Sequence, residues 1–401
     1  MAPYDATCRT VKWAVGREPL MGSVGSTAYY DCAATTPVDD RVAAEVLRLM
    51  TADFGNAGSR THEVGAAAQA AVTVARTEVA RAVGARADEV VFTSGATEAD
   101  NIAVLGLAAE GERTDRRHVV VTAIEHKAVL EPAQELARRG FDVTVVAPHP
   151  DGAVRADDLL DAVRPDTLLV SLMHANNETG VVQPVAEVAA GLAGHEAWLH
   201  VDAAQTFGKL DEQLCDRRID LISVSGHKVF APQGVGALIA RRRGYARVPL
   251  QPLTYGGGQE RGLRAGTVPM PLVAGLGLAV RFAREERALR VKECLRVRDE
   301  VLHGLAPLDP VVNGAASNVL PHVLNLSLPG IDGEAVMVAW RGLLAVSNGS
   351  ACTSASYSPS HVLTAMGLTT DRIRGALRLS WSHTAPDVDW PEAVRRAQGL
   401  R

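Results

Sequence analysis

Seven short apolar runs, most of them unbroken by polar residues, constrain this chain more than any other feature. They are 89–93, 118–122, 141–146, 167–173, 197–201, 220–224 and 236–240. A strand with one wet face alternates apolar and polar residues. A continuous apolar strand is buried on both faces, which suits a largely parallel sheet covered by helices on either side. Helix-like segments stand between the runs, among them 66–83, stopped by Gly84, and 98–109. Alternating strands and helices of this kind predict an α/β layer architecture.

The chain has 401 residues, more than one hydrophobic core normally holds, so two domains are expected. The texture changes near Ala283, where a charged helix is predicted from Arg281 to Leu305. The division that follows is a large domain over 40–283 and a smaller α+β domain built from 29–39 and 284–401. Residues 1–28 read as a loose leader. Arg9, Lys12 and Arg17 interrupt any signal-like apolar run there, Met21 can serve as a start, and deletion to Thr27 should be tolerated.

Composition excludes several classes of function. At 47% hydrophobic and 22% charged the chain is an ordinary globular enzyme in make-up, not a disordered protein. With a net charge of −5 and no long basic run, nucleic acid is not an expected direct ligand. Arg241-Arg242-Arg243 is the densest basic cluster, and it is read as a solvated strand end. No apolar stretch is long enough to span a bilayer. The five cysteines, Cys8, Cys32, Cys215, Cys294 and Cys352, lack CxxC pairs or metal-ligand spacing. No metal site is expected, and the pattern suggests a reducing cytoplasm.

Open α/β sheets bind ligands beyond the carboxyl ends of their strands, and the chemistry-bearing residues fall there. Thr93-Ser94-Gly95-Ala96-Thr97 leaves a strand and opens a helix, which suits a phosphate. His126 follows the second run, and 174–178 follows the fourth. Asp202 and Gln205 follow the fifth, and Ser225-Gly226-His227-Lys228 ends the sixth. A lysine amine, a buried carboxylate, a phosphate cradle and a ring-stacking group are what pyridoxal phosphate requires. Each residue also has a plainer reading: Asp202 as a helix cap, His126 as a polar loop residue, Gly256-Gly257-Gly258 as a turn. His62, His174, His195 and His303 are read as structural. Far downstream, Cys352 stands among small polar residues, poised as an exposed nucleophile rather than a packed thiol.

These residues resemble those of the cysteine desulfurases of fold-type I, in the class V aminotransferase group. The likeness runs from Asp31 to about Ser382. It is carried by 54–62, 93–98, 125–127, 176–180, 200–205 and 225–228, and most specifically by 256–267 and 350–356. The resemblance implies a large domain with a mainly parallel seven-stranded sheet. It also implies an L-cysteine desulfurase that leaves alanine and a persulfide on Cys352 for a sulfur-acceptor protein.

Roles follow from the same resemblance. Lys228 would hold the cofactor and move protons, His126 would stack on the ring and act as acid and base, and Asp202 would pair with the ring nitrogen. Gln205 and Asn177 would approach the ring oxygen and the substrate. Ala96, Thr97, Ser225 and His227 would hold the phosphate, and Thr267 would reach the phosphate of a neighbouring subunit, implying a homodimer. Arg378 would clamp the substrate carboxylate. The segment around Cys352 resembles the long-loop branch of the family. Three places depart from the pattern: Trp381-Ser-His-Thr replaces Gly-Arg and an aromatic, Ala231 replaces a glycine, and the tail after the last helix is short. Two alternatives remain at this stage: an aminotransferase or β-lyase with no use for Cys352, and a non-catalytic protein of the same fold.

Overall fold

The computed structural model describes residues 27–348 and 359–401; Cys352 lies outside the described residues. Twelve strands occur among them. In chain order they are β1 (Ala28–Tyr29), β2 (Val90–Thr93), β3 (His118–Thr122), β4 (Asp142–Val146), β5 (Thr167–Ser171) and β6 (Trp198–Asp202). There follow β7 (Leu221–Ser225), β8 (Gly236–Ala240), β9 (Val311–Val312), β10 (Val323–Ser327), β11 (Leu344–Ala345) and β12 (Ala376–Ser380). The seven apolar runs form one sheet in the order β2-β8-β7-β6-β5-β3-β4. Its interior pairs are parallel, and only β8 runs against its neighbours β2 and β7. Six strand ends, those of β2, β3, β4, β5, β6 and β7, therefore open along one edge.

Both faces of this sheet are buried except at the edge strand β4, where Val145 is exposed. Val90, Phe92, Val120 and Val170 join one core, while Val91, Val119, Val121 and Leu169 join another on the opposite face. Gly236 lets the first strand-to-helix turn approach closely. A Cβ there would stand 2.6 Å from Gly95 Cα and 2.4 Å from Val224 O.

A second, three-stranded antiparallel sheet, β12-β10-β9, packs around Trp340, Trp381, Leu324 and Leu377 in a separate core. The charged segment expected as one helix from Arg281 to Leu305 is two, Met270–Glu285 and Arg287–Leu305. The break falls at Glu286, whose carboxylate takes Arg41 at 2.6 Å and Arg290 at 2.7 Å. No glycine or proline marks it in the sequence. Ala28, the last residue of the segment read as a leader, belongs to the fold, since it is buried and pairs with Leu344.

The arginine cluster is also not a solvated end. Arg241 is 1% exposed and donates to the carbonyls of Asp216, Ile219, Leu214 and Val83. Arg242 pairs with Asp88, and Arg243 meets Asp220 at 2.8 Å. A charge run says nothing about carbonyls waiting elsewhere in the chain, so its burial is invisible from sequence.

Buried Glu260 anchors the glycine-rich loop to this framework. It accepts from Phe92 N at 2.8 Å and from Arg76 at 2.6 and 2.8 Å, while Arg76 lies over the Phe92 ring. Glu260→Ala would leave the Arg76 guanidinium and the Phe92 amide without their acceptor. We expect a loss of about 3 kcal/mol of stability, read as a lower midpoint in urea unfolding, with Arg395→Ala, whose side chain is exposed in its pair with Glu392, nearly silent as a control.

Candidate active site

The open strand ends face a cavity of about 530 Å³, within the usual range of about 300–1,000 Å³ for small-molecule sites. Its floor is the end of β7. Ser225 leads into a single tight turn, Gly226–Lys228, and the Lys228 amine reaches the carbonyls of Ala33 and, at 2.9 Å, Ala34. Thr36 clasps the same turn, its N–H donating to His227 O at 2.8 Å and its hydroxyl accepting from Phe230 N at 3.0 Å. Phe230 carries the left-handed backbone of this loop at φ 66°, and Ala231 has no positive φ. The alanine that departs from the family pattern is therefore sterically at ease.

Asp202 ends β6 with its carboxyl buried. No helix follows it, so the cap reading fails: Oδ1 accepts from Ala204 N at 2.9 Å within a turn, and the residue lines the cavity. Burial, then the neighbouring Asp100, pushes its pKa up to about 6. A positive ring nitrogen placed against it would relieve both terms.

His126 caps the helix Lys127–Arg138, its Nδ1 accepting from Ala128 N at 3.1 Å. The other ring nitrogen, Nε2, is the one left to carry the proton. Burial holds the imidazole pKa below its ordinary value, so the ring is neutral and can accept a proton.

The helix Ala96–Leu105 points its amino end at the cavity, with Ser94, Gly95, Ala96 and Thr97 on the rim and Ser225 and His227 beside them. Free N–H groups at a helix start, with hydroxyls around them, suit a phosphate. Arg378, 2% exposed on β12, donates to Asn177 O at 3.1 Å and pairs with Asp31 at 2.6 Å. Its Nε has no partner, and neither has the buried Oε1 of Gln205, whose Nε2 donates to Ala33 O at 3.0 Å. Two orphaned polar atoms at one cavity call for a polar ligand.

Of the residues singled out from sequence, Lys228, His126, Asp202, Gln205, Asn177, Ala96, Thr97, Ser225, His227 and Arg378 line this one cavity. Thr267 does not. It lies in a shallower groove with Gly256, Gly257, Gln259 and Arg264. Three further residues were given no role from sequence, Glu178 among them although its segment was placed after a strand. Asp100 lies one helical turn after Ala96, a spacing that could have flagged it. Glu178 accepts from Ser360 Oγ at 2.5 Å, and His361 Nε2 lies 3.0 Å from Glu125 O. Nothing local ties those two to the site, since Glu178 and Ser360 are far apart in sequence.

A lysine amine, a buried carboxylate, a neutral imidazole and a helix-end anion site around one cavity fit pyridoxal phosphate. The family model for "Aminotransferase class-V" matches residues 28–389. The cysteine desulfurase IscS of Mannheimia succiniciproducens is 43% identical over 90% of this chain and 90% of its own. IscS of Escherichia coli is 43% identical over 92% of each. Among solved structures, DndA from Streptomyces lividans is 51% identical, with a TM-score of 0.77, covering 87% of this chain and 98% of its own. SspA in complex with cysteine is 34% identical, with a TM-score of 0.76 over 90% and 100%. On the strength of this match and the cavity it describes, the chain belongs to the class-V aminotransferase family, as a pyridoxal-phosphate-dependent cysteine desulfurase.

Proposed function

We propose that this protein takes the sulfur of L-cysteine onto Cys352 and passes it to an acceptor protein, working as a homodimer in the cytoplasm. The observation that carries the reading is that Lys228, Arg378 and the buried Asp202 line one cavity. Arg378 is rigid: Asp31 and Asn177 O hold two of its nitrogens and leave Nε for a carboxylate. An α-amino acid seated there presents its Cα side to the Lys228 amine.

Pyridoxal phosphate, when bound, supplies the electron sink that lets Cα lose a proton and Cβ accept an electron pair. Asp202 would hold its ring nitrogen, the helix start at Ala96 and Thr97 with Ser225 and His227 its phosphate, and Lys228 its carbonyl carbon. Lys228 is also the amine placed to carry the Cα proton. His126, neutral and with Nδ1 engaged by Ala128, keeps Nε2 for proton traffic. Cys352 thiolate attacks the substrate sulfur; the new S–S bond forms as the S–Cβ bond breaks, and Cβ gains a proton to give alanine. The substrate is supported by the relative solved with cysteine, and the cytoplasm by the unpaired thiols of Cys32, Cys215 and Cys294. Among the described residues no helix is long and apolar enough to cross a membrane.

Cys352→Ser separates this reading from every other use of the cofactor. A serine hydroxyl is largely un-ionised and cannot store sulfur as a persulfide. Visible absorbance should show normal cofactor loading, while alanine formation collapses and labelled sulfur is missing from the protein. Wild-type turnover would instead mean a β-lyase or aminotransferase.

Arg378→Ala should raise KM for L-cysteine about ten- to a hundredfold while cofactor loading persists. An unchanged KM would mean that another group holds the carboxylate.

The dimer reading is supported by the position of Thr267 outside its own chain's cavity and by exposed Leu47, Met50, Phe54 and Tyr255. A heterodimer of one Thr267→Ala and one Lys228→Ala subunit should keep about half the wild-type activity, because one site then has both groups intact. If Thr267 served its own chain, neither site would be intact and activity would fall to background.

A further inference from the structure

Behind the catalytic cavity lies a second one, of about 320 Å³, between the helix Arg287–Leu305, the loop after β6 and the end of β12. It shares no lining residue with the first. Its walls are mostly apolar, with Leu210, Val229, Phe230, Leu320 and Trp381 among them. Trp381 opens the segment in which this chain departs from the family pattern.

The charges in this cavity do not balance. No acidic residue lines it, yet Lys209, Arg287 and Arg290 do. The two arginines are compensated from outside: Arg287 by Glu212, and Arg290 by Glu286 at 2.7 Å and Asp39 at 3.7 Å. Lys209 is not. Its Nζ meets a single polar side chain among the described residues, His322 Nε2 at 3.3 Å. Burial has driven the neighbouring His322 well below its ordinary pKa, so it accepts and brings no charge of its own. Cys32 and Cys294, the thiols facing Lys209, are pushed up to about 12 and about 11 by burial and stay protonated. An ammonium group enclosed this way has three donors and one acceptor.

We propose that this cavity binds a small organic carboxylate with an apolar body, the carboxylate seated on Lys209 Nζ and the body against Phe230, Leu320 and Trp381. One uncompensated cation matches one negative charge; a phosphate dianion would lack its second. The apolar walls favour an aryl or short alkyl group over a hydroxylated one. Burial holds the Lys209 amine down to about 8, still charged at neutral pH but poorly solvated, the state in which an anion gains most. Cys32 forms the wall, and the next two residues, Ala33 and Ala34, hold Lys228. A ligand here therefore lies one residue from the hydrogen bonds of the catalytic lysine.

Benzoate and hexanoate, with benzyl alcohol as the uncharged control, test this on the holoenzyme by calorimetry and thermal shift. Benzoate should bind saturably and raise the melting temperature, and benzyl alcohol should not. Lys209→Met should weaken benzoate at least about tenfold. That variant removes a poorly solvated amine and so should fold, which the visible absorbance of bound cofactor verifies. Val291→Phe, which fills the cavity with carbon, should also block binding. Arg378→Ala should leave benzoate affinity unchanged. Absence of saturable binding to the wild type, or binding lost in Arg378→Ala and kept in Lys209→Met, would overturn the site. Neither result bears on desulfuration, which Cys352→Ser tests separately.

Discussion

The short segment from Asp31 to Thr36 holds the two sheets and the catalytic lysine in one frame. Asp31 bridges to Ser380, Cys32 N donates to Ser380 O, and Ala33 N donates to the Ser380 hydroxyl at 2.8 Å. From there the chain turns its carbonyls toward the Lys228 amine and clasps the Lys228 turn through Thr36. Asp31 also neutralises Arg378. One stretch thus fixes the lysine, the arginine and the angle between the two sheets. Moving any of them would leave a buried charge or carbonyl unpaired, at a cost of several kcal/mol in the interior. The geometry of the cavity follows from that constraint.

Charge is arranged around this frame in a way that suits the cofactor. Asp100, Glu125 and Asp202 are three carboxyl groups buried close to one another, and burial raises all three, Asp100 to about 7 and Glu125 to about 8. Three carboxylates cannot ionise together in so poorly solvated a place. Asp202 is the one of the three at a strand end lining the open cavity, and a protonated ring nitrogen placed there would favour its ionisation over that of the other two. Two imidazoles, those of His126 and His227, are likewise held neutral by burial. Lys228 and Arg378 both line the cavity, where a substrate amine and carboxylate would be sorted.

The two cavities differ in how their charges are met. In the catalytic cavity Lys228 and Arg378 each have a carboxylate or carbonyl within reach, and the orphaned atoms of Arg378 and Gln205 are single positions on otherwise engaged side chains. In the second, a whole ammonium group faces apolar walls with one imidazole for company. Trp381 contributes to this difference. Its indole N–H is spent on Cys294 O at 2.9 Å, so the ring presents only carbon to the cavity.

The sequence by itself determined the sheet and most of the site. Unbroken apolar runs can only be strands buried on both faces, and the polar residues after them can only sit at one open edge; Lys228, Asp202, His126 and the Thr93–Thr97 turn were legible for that reason. Tertiary structure decided what depends on partners distant in the chain. Arg241 is buried where carbonyls of the 214–219 segment and of Val83 converge on it, and at the helix break Arg41 and Arg290 both meet the Glu286 carboxylate. Glu178 and His361 enter the site only because Ser360 folds back onto the turn at Asn176. Hydrophobic periodicity is a local property and survives in a linear string; hydrogen-bond acceptors and counter-charges are supplied from across the fold, and no spacing within the chain records them.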